Sequence, residues 1–270
     1  MVAICIVGFT LYRLYGGHGD TRRVSPKPGN EKTELILYCG AGIRSAAEAL
    51  IEAFEKKHDV KILATYAGSD RLLGQISTIQ KGDLFMPGAE LYVDIAIEKG
   101  LALKESKRVV AYFIPVIFVQ KGNPKGIQSL QDLKRPGIRL GFGDERACAV
   151  GKTTLKILEK NGIVYSELKK NVVYKSGTVN ELPLAVQLQN VDAVIAWDVN
   201  ARHFLQYGDI VRISQEQNVP STIPIIVLGS SSHQSEARAF IDFVTSSEGK
   251  KILTECKYTI SLADQENNSG

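Results

Sequence analysis

What this chain lacks narrows its function quickly. Its four cysteines, Cys5, Cys39, Cys148 and Cys256, share no short spacing, which excludes a zinc knuckle, a Cys-x-x-Cys redox pair and a dense disulfide framework. A Cys39–Cys148 bridge in an oxidising compartment is the one pairing left open. The four histidines, His18, His58, His203 and His233, fall at no metal-ligand interval and read as surface residues, so neither a protein-ligated metal nor a cofactor is expected. No apolar run reaches the ~18 residues of a confident membrane span. Lysine and arginine (33) barely outnumber aspartate and glutamate (29), giving a formal charge of +4, and they are scattered rather than striped. That argues against nucleic acid as a partner. Catalytic constellations are missing too: no Cys–His or carboxylate pair stands out, and Gly229-Ser-Ser-Ser-His233 puts no serine between the glycines of a nucleophile elbow. An enzyme is not expected.

Two nucleotide motifs also fail. Val150-Gly-Lys-Thr-Thr154 resembles the tail of a P-loop, but Arg146 stands where the motif needs its first glycine. Gly40-Ala-Gly42-Ile-Arg-Ser45 imitates a dinucleotide fingerprint, with serine at the third glycine. The acidic residue that should end the next strand is absent, since that strand finishes Thr65-Tyr66.

What is present is an ordinary globular composition, 44% hydrophobic and 23% charged, in a 270-residue chain long enough for two lobes. Residues 2–12 are apolar and are followed by Arg13, so residues 1–15 read as a signal peptide or signal anchor, with a true start upstream left open. Residues 16–32 have the composition of a linker.

From residue 33 the apolar pattern alternates between strand and helix. Strands are expected at 35–38, 60–66 and 82–88, with helices at 45–57, 71–80 and 90–99, the last ending at Gly100. This βαβα series predicts a mainly parallel sheet covered by helices. Residues 109–120 then form a long apolar run with Pro115 inside it, which suits a strand leaving one lobe for another. A second series follows, with strands at 138–142, 172–174 and 193–197 and helices at 151–161 and 182–188. A second proline-bearing run, 222–228, reads as the return, and helices at 237–246 and 248–256 close the chain. The expected plan is an α/β protein of two lobes joined by two hinge strands. Residues 33–112 and 223–262 form the first lobe, 113–222 the second and 263–270 a tail.

Two turns carry the functional reading. Gly40-Ala-Gly42 and Ala67-Gly-Ser69 each follow a strand and precede a helix, so each aims unpaired backbone N–H groups at one point, as an anion site requires. A purely structural tight turn is the plain alternative. Arg44 and Arg71, each two residues past a turn, could add charge-assisted bonds or simply face water. Asp198, beside Trp197 at a strand end, is either a site acid or a helix N-cap.

In this order the turns resemble the periplasmic molybdate-binding proteins, the solute receptors of ABC importers with the type II periplasmic-binding-protein fold. The resemblance covers roughly residues 33–262. Gly40-Ala-Gly-Ile43 stands for the family's Ala-Ala-Ser-Leu, Tyr66-Ala-Gly-Ser-Asp70 for its Phe-Ala-Ser-Ser-Ser, and Lys81-Gly-Asp-Leu-Phe85 for its Ala-Pro-Ala-Asp-Leu-Phe. Gly143-Asp-Glu follows its Gly-Asp-Pro loop, and Ile195-Ala-Trp-Asp-Val-Asn-Ala201 its Ile-Val-Tyr-x-x-Asp-Ala. The resemblance implies a tetrahedral oxyanion, molybdate or tungstate first, held by hydrogen bonds alone. The implied donors are the Ser69 hydroxyl, the backbone N–H groups of Gly42, Val150 and Val179, and the indole N–H of Trp197. Gly42 replaces a family serine and Trp197 a family tyrosine, so a rebuilt pocket is expected. The resemblance further implies a monomeric extracytoplasmic receptor with a membrane permease as partner. A sensor domain of the same fold, or a receptor for a sulfate-like, phosphate-like or small carboxylate anion, is the alternative.

Overall fold

The computed structural model describes residues 32–263; the expected signal segment and nearly all of the expected linker and tail lie outside the described residues. The chain begins with β1 (Thr33–Gly40), a 3-10 turn at Ala41–Ile43, α1 (Arg44–Glu55), β2 (Val60–Ala67), α2 (Ser69–Ile79), β3 (Leu84–Met86), α3 (Glu90–Glu98) and β4 (Arg108–Phe113). It continues through β5 (Pro115–Gln120), β6 (Leu140–Gly143), α4 (Ala149–Lys160), α5 (Tyr165–Lys169), β7 (Val172–Ser176), α6 (Glu181–Gln187), β8 (Ala193–Trp197), α7 (Asp198–Arg202) and β9 (Gly208–Arg212). It closes with β10 (Ser221–Val227), α8 (Gln234–Thr245) and α9 (Ser247–Glu255).

Local sequence accounts for these elements. Along β2, Val60 and Ile62 turn inward while Lys61 and Leu63 face out, the alternation of an edge strand with one covered face. Ala46, Ala47, Leu50 and Phe54 form the buried stripe of α1. Gly100, at φ +68°, lets the chain leave α3 in the left-handed conformation that ends many helices.

Two five-stranded mixed sheets result, in the orders β2-β1-β3-β10-β4 and β7-β6-β8-β5-β9. In each, four strands share one direction and a single strand runs against them: β10 against β3 and β4, and β5 against β8 and β9. Helices flank both sheets, as the two-lobed expectation requires. The carboxyl ends of the parallel strands in the two sheets face a shared cleft, where α/β proteins place their ligands.

The first crossing lies where Pro115 suggested. β4 belongs to the first sheet and β5 to the second, with Ile114 between them. The second crossing departs from expectation. β10 lies wholly in the first sheet, Pro224 marks a register shift against β4, and the passage between lobes is made by residues 213–220. Proline fits there because a bulge leaves a ladder position without need of its N–H. Buried Asn218 ties the crossings together, donating from Nδ2 to the Pro115 carbonyl at 2.9 Å.

One apolar cluster runs from the first sheet across the cleft through Phe113, Trp197 and Val179 to Leu182 and Val186 of the second lobe. Another, including Ile117, Leu140, Phe142 and Ile157, fills the second lobe. The buried carboxylate Asp192 fastens that lobe: it accepts from the Arg139 N–H at 2.8 Å and the Arg139 guanidinium at 2.8 Å. Burial alone would raise its pKa, but these bonds outweigh burial and hold it below the usual value. The folded chain therefore binds this proton more weakly than the unfolded chain. The stabilisation is complete above the unfolded pKa, about 3.9, and is lost as pH falls through the lower folded value. Asp192→Asn is expected to cost about 1–3 kcal/mol near neutral pH in urea unfolding, with the gap to the parent narrowing in acid. A gap independent of pH would show that the charge contributes nothing.

Candidate functional site

Three helices of at least eleven residues start at the cleft. α1 enters through the Ala41–Ile43 turn, α2 begins at Ser69 and α4 at Ala149, and none carries a side-chain hydrogen bond at its N-cap. The first turn of a helix leaves its N–H groups without intrahelical acceptors. In α2 the first i→i−4 bond is donated by Leu72, and in α4 by Lys152. The N–H groups of residues 69–71 and 149–151 thus lie outside the helical ladders. The short segment Thr178–Val179, just ahead of α6, completes the ring.

These pieces enclose a cavity of about 20 Å³, lined by Gly42, Ser69, Val150, Val179 and Trp197 together with Gly88, Phe113 and Cys148. Space on that scale admits the centres of only a few oxygen-sized atoms. Five of the eight residues singled out from sequence therefore meet in one pocket. Ser69, 3% exposed, accepts the Gly88 N–H at 3.0 Å through Oγ, which leaves its own O–H free to donate elsewhere. Trp197 stacks on Phe113 with centroids 4.8 Å apart and planes 5° from parallel, so an aromatic pair bridges the lobes beside the pocket.

The other three lie elsewhere. Arg44, the first residue of α1, holds its guanidinium 4.1 Å above the Tyr66 ring and pairs with Glu48 at 3.4 Å, with a side chain 54% exposed. Arg71 is exposed on α2 and does not line the cavity. Asp198 is not the N-cap of α7, which is Trp197, but its first residue, and its carboxylate turns to Arg202 at 3.6 Å, behind the cleft. Burial raises its pKa, against the pull of Arg202 and Arg212. The phase of each helix explains all three placements, because a first-turn side chain can leave the axis on the side away from the N–H groups. No charged side chain lines the pocket.

Several contributors were not visible in the sequence. Asn180 Nδ2 donates to the Ala41 carbonyl at 2.9 Å, and Asn200 Nδ2 to the Gly42 carbonyl at 3.2 Å and to Asn180 Oδ1 at 3.0 Å. Tyr258 donates its hydroxyl to the same Gly42 carbonyl at 2.7 Å. Lys152 reaches Asp70 across the cleft at 4.0 Å. Cys148 is the N-cap of α4; burial pushes its thiol up to about 11, although the nearby Gly151 and Val150 N–H dipoles pull the other way. Cys39 and Cys148 are separate free thiols. Cys148 was open to discovery, since it directly precedes the residues that start α4.

The closed cleft demands small residues. A Cβ on Gly68 would stand 2.5 Å from the carbonyl oxygens of both Ala147 and Gly177, and one on Gly42 would meet Val179 Cγ1 at 2.8 Å. The serine that the resemblance expects at 42 is therefore displaced by a valine from the opposite lobe.

Two mixed sheets around a cleft of helix N-termini define a two-lobed solute-binding architecture. Residues 35–256 match the family described as bacterial extracellular solute-binding protein, and the chain belongs to it. A Haemophilus influenzae protein named only as a binding protein is 30% identical over 83% of this chain and 90% of its own length. The molybdate-binding protein ModA of Mycobacterium tuberculosis is 25% identical, over 84% of this chain and 85% of that one. The sulfate-binding protein SubI of Mycobacterium tuberculosis has the same fold, with a TM-score of 0.76 at 20% identity over 87% of this chain and 90% of that one. Among the described residues, no helix is long and apolar enough to cross a membrane.

Gly68→Ala is expected to hold the lobes apart, with a larger radius of gyration in small-angle scattering than the parent chain. Equal radii would mean that the lobes need not approach so closely. Gly42→Ser is expected to cost about 1–3 kcal/mol by overpacking, and Val179→Ala in the same chain to recover most of it in a urea double-mutant cycle. Additive effects would remove the proposed clash.

Proposed function

We propose that this chain is the extracytoplasmic solute-binding component of an ABC importer, a monomer that closes its lobes on a tetrahedral oxyanion and presents the closed form to a membrane permease. Molybdate or tungstate is the first choice of ligand. The observation that carries the reading is the lining of the cleft. Helix N-termini and neutral donors surround a space of about 20 Å³, with no carboxylate among the lining residues to accept a proton from the ligand. A fully deprotonated oxyanion can use every donor there, and aligned N–H dipoles stabilise its charge without a counter-ion. Ser69 supplies a hydroxyl, Gly42, Val150 and Val179 supply backbone N–H groups, and Trp197 an indole N–H. Arg44 and Arg71 take no part, and Asp198 stays behind the cleft. The name of the ModA relative agrees with this ligand class.

A thermal-shift panel on the full chain tests it, with molybdate, tungstate, sulfate, phosphate and small carboxylates. Ligand that binds only the folded form raises the melting temperature. Molybdate and tungstate are expected to give the largest shifts. Ser69→Ala should weaken their binding by about 1–3 kcal/mol in titration calorimetry. No shift with any inorganic oxyanion, or full affinity without the Ser69 hydroxyl, would overturn the reading.

A further inference from the structure

A second and much larger cavity, about 920 Å³, lies behind the first. The two are back to back along the same strands. Phe113 and Trp197 line the front pocket, and the next residues, Ile114 and Asp198, line the rear one. Tyr258 lines the rear cavity and donates its hydroxyl to Gly42, which lines the front. Both crossings contribute to the walls, through residues 114–116 and 213–220, as does the segment after α9.

The volume falls in the range of pockets that hold small organic molecules, far beyond the needs of an inorganic oxyanion. Its chemistry is divided. Ile114, Val116, Ile213 and Ile260 supply apolar wall, while Arg202, Arg212 and Lys257 supply positive charge. Asp198 engages Arg202 at 3.6 Å, and exposed Glu216 is the other acid in the lining. Among the described residues neither Arg212 nor Lys257 stands within ion-pair distance of a carboxylate, though Asp198 feels the Arg212 charge, and these two cations from opposite lobes face one space. A guanidinium fork favours a carboxylate, and the apolar wall favours a hydrocarbon body attached to it.

We infer that this rear cavity is a second ligand site, taking an organic carboxylate with an apolar body and contacting both lobes at the hinge. The inference does not rest on the identity of the front ligand. An occupant held between Arg212 of the second lobe and Lys257 of the first bridges the two bodies. It also touches Tyr258, whose hydroxyl fixes the Gly42 turn.

Titration calorimetry of the full chain with phenylbutyrate is the test. Saturable one-to-one binding is expected, weaker by about tenfold or more for the uncharged phenylbutanol and for Arg212→Gln/Lys257→Gln. The charge-keeping pair Arg212→Lys/Lys257→Arg should retain binding, which separates loss of charge from loss of fold. Ser69→Ala should leave phenylbutyrate affinity in place, so a failure at the front pocket is distinguishable from a failure here. Absence of saturable binding, or equal affinity for the glutamine pair, would overturn the site.

Discussion

Partial positive charges of like sign point at one another across the cleft of this protein. α1 and α2 enter it from the first lobe and α4 from the second, and each helix start carries roughly half a unit of positive charge on its free N–H groups. Such an arrangement resists closing in the absence of a negative charge. The lining contains no carboxylate to provide one from the protein itself. The Asp70–Lys152 pair relieves some of this tension at the margin, and Asn180 and Asn200 add polar contacts from the second lobe to the Ala41 and Gly42 carbonyls of the first. Closure of the lobes and capture of an anion are then one event, on the function proposed here.

Most of the donors that surround the cavity are fixed by backbone, and the side-chain ones, Ser69 and Trp197, are buried. That keeps the ordering cost of binding low, since little rotamer entropy is left to lose. At Gly42 a backbone N–H is present, and Val179 fills the space across the cleft that a side chain there would need. Asn200 Oδ1 is buried without a hydrogen-bond partner, although its Nδ2 bonds both Asn180 and the Gly42 carbonyl of the first lobe. Cys148 adds a soft, weakly acidic group to a site otherwise built of hard donors.

Much of this architecture was legible because periodicity changes where the structure does. The break at Ile114 was visible through Pro115, which cannot sit easily in a central paired position. Pro224 misled by the same rule, because it occupies a bulge rather than a crossing. The true second crossing, residues 213–220, is mostly polar and carries no periodic signal, and the short strand β9 was hidden beside it. At the site, the passage from strand to helix marked the two turns by local pattern, and the family resemblance singled out Gly42 and Ser69 within them. Asn180, Asn200 and Tyr258 meet their partners 139, 158 and 216 residues away, a distance at which no local pattern operates. Arg44 and Arg71 lie outside the cavity lining for a different reason: spacing places a residue on a helix turn but not the direction in which its long side chain leaves.

The strand orders also set the sequence in which the molecule can be completed. The second sheet is drawn from one unbroken stretch, β5 to β9, whereas the first needs β10 between β3 and β4. A chain that emerges from its amino end makes β1 to β4 early but cannot join them into one sheet until the whole second lobe has been made. Meanwhile β3 and β4 carry unpaired edges, the feature most open to wrong pairing with other chains. The contiguous second lobe has no such wait. The lobe that begins the chain is the last to be finished.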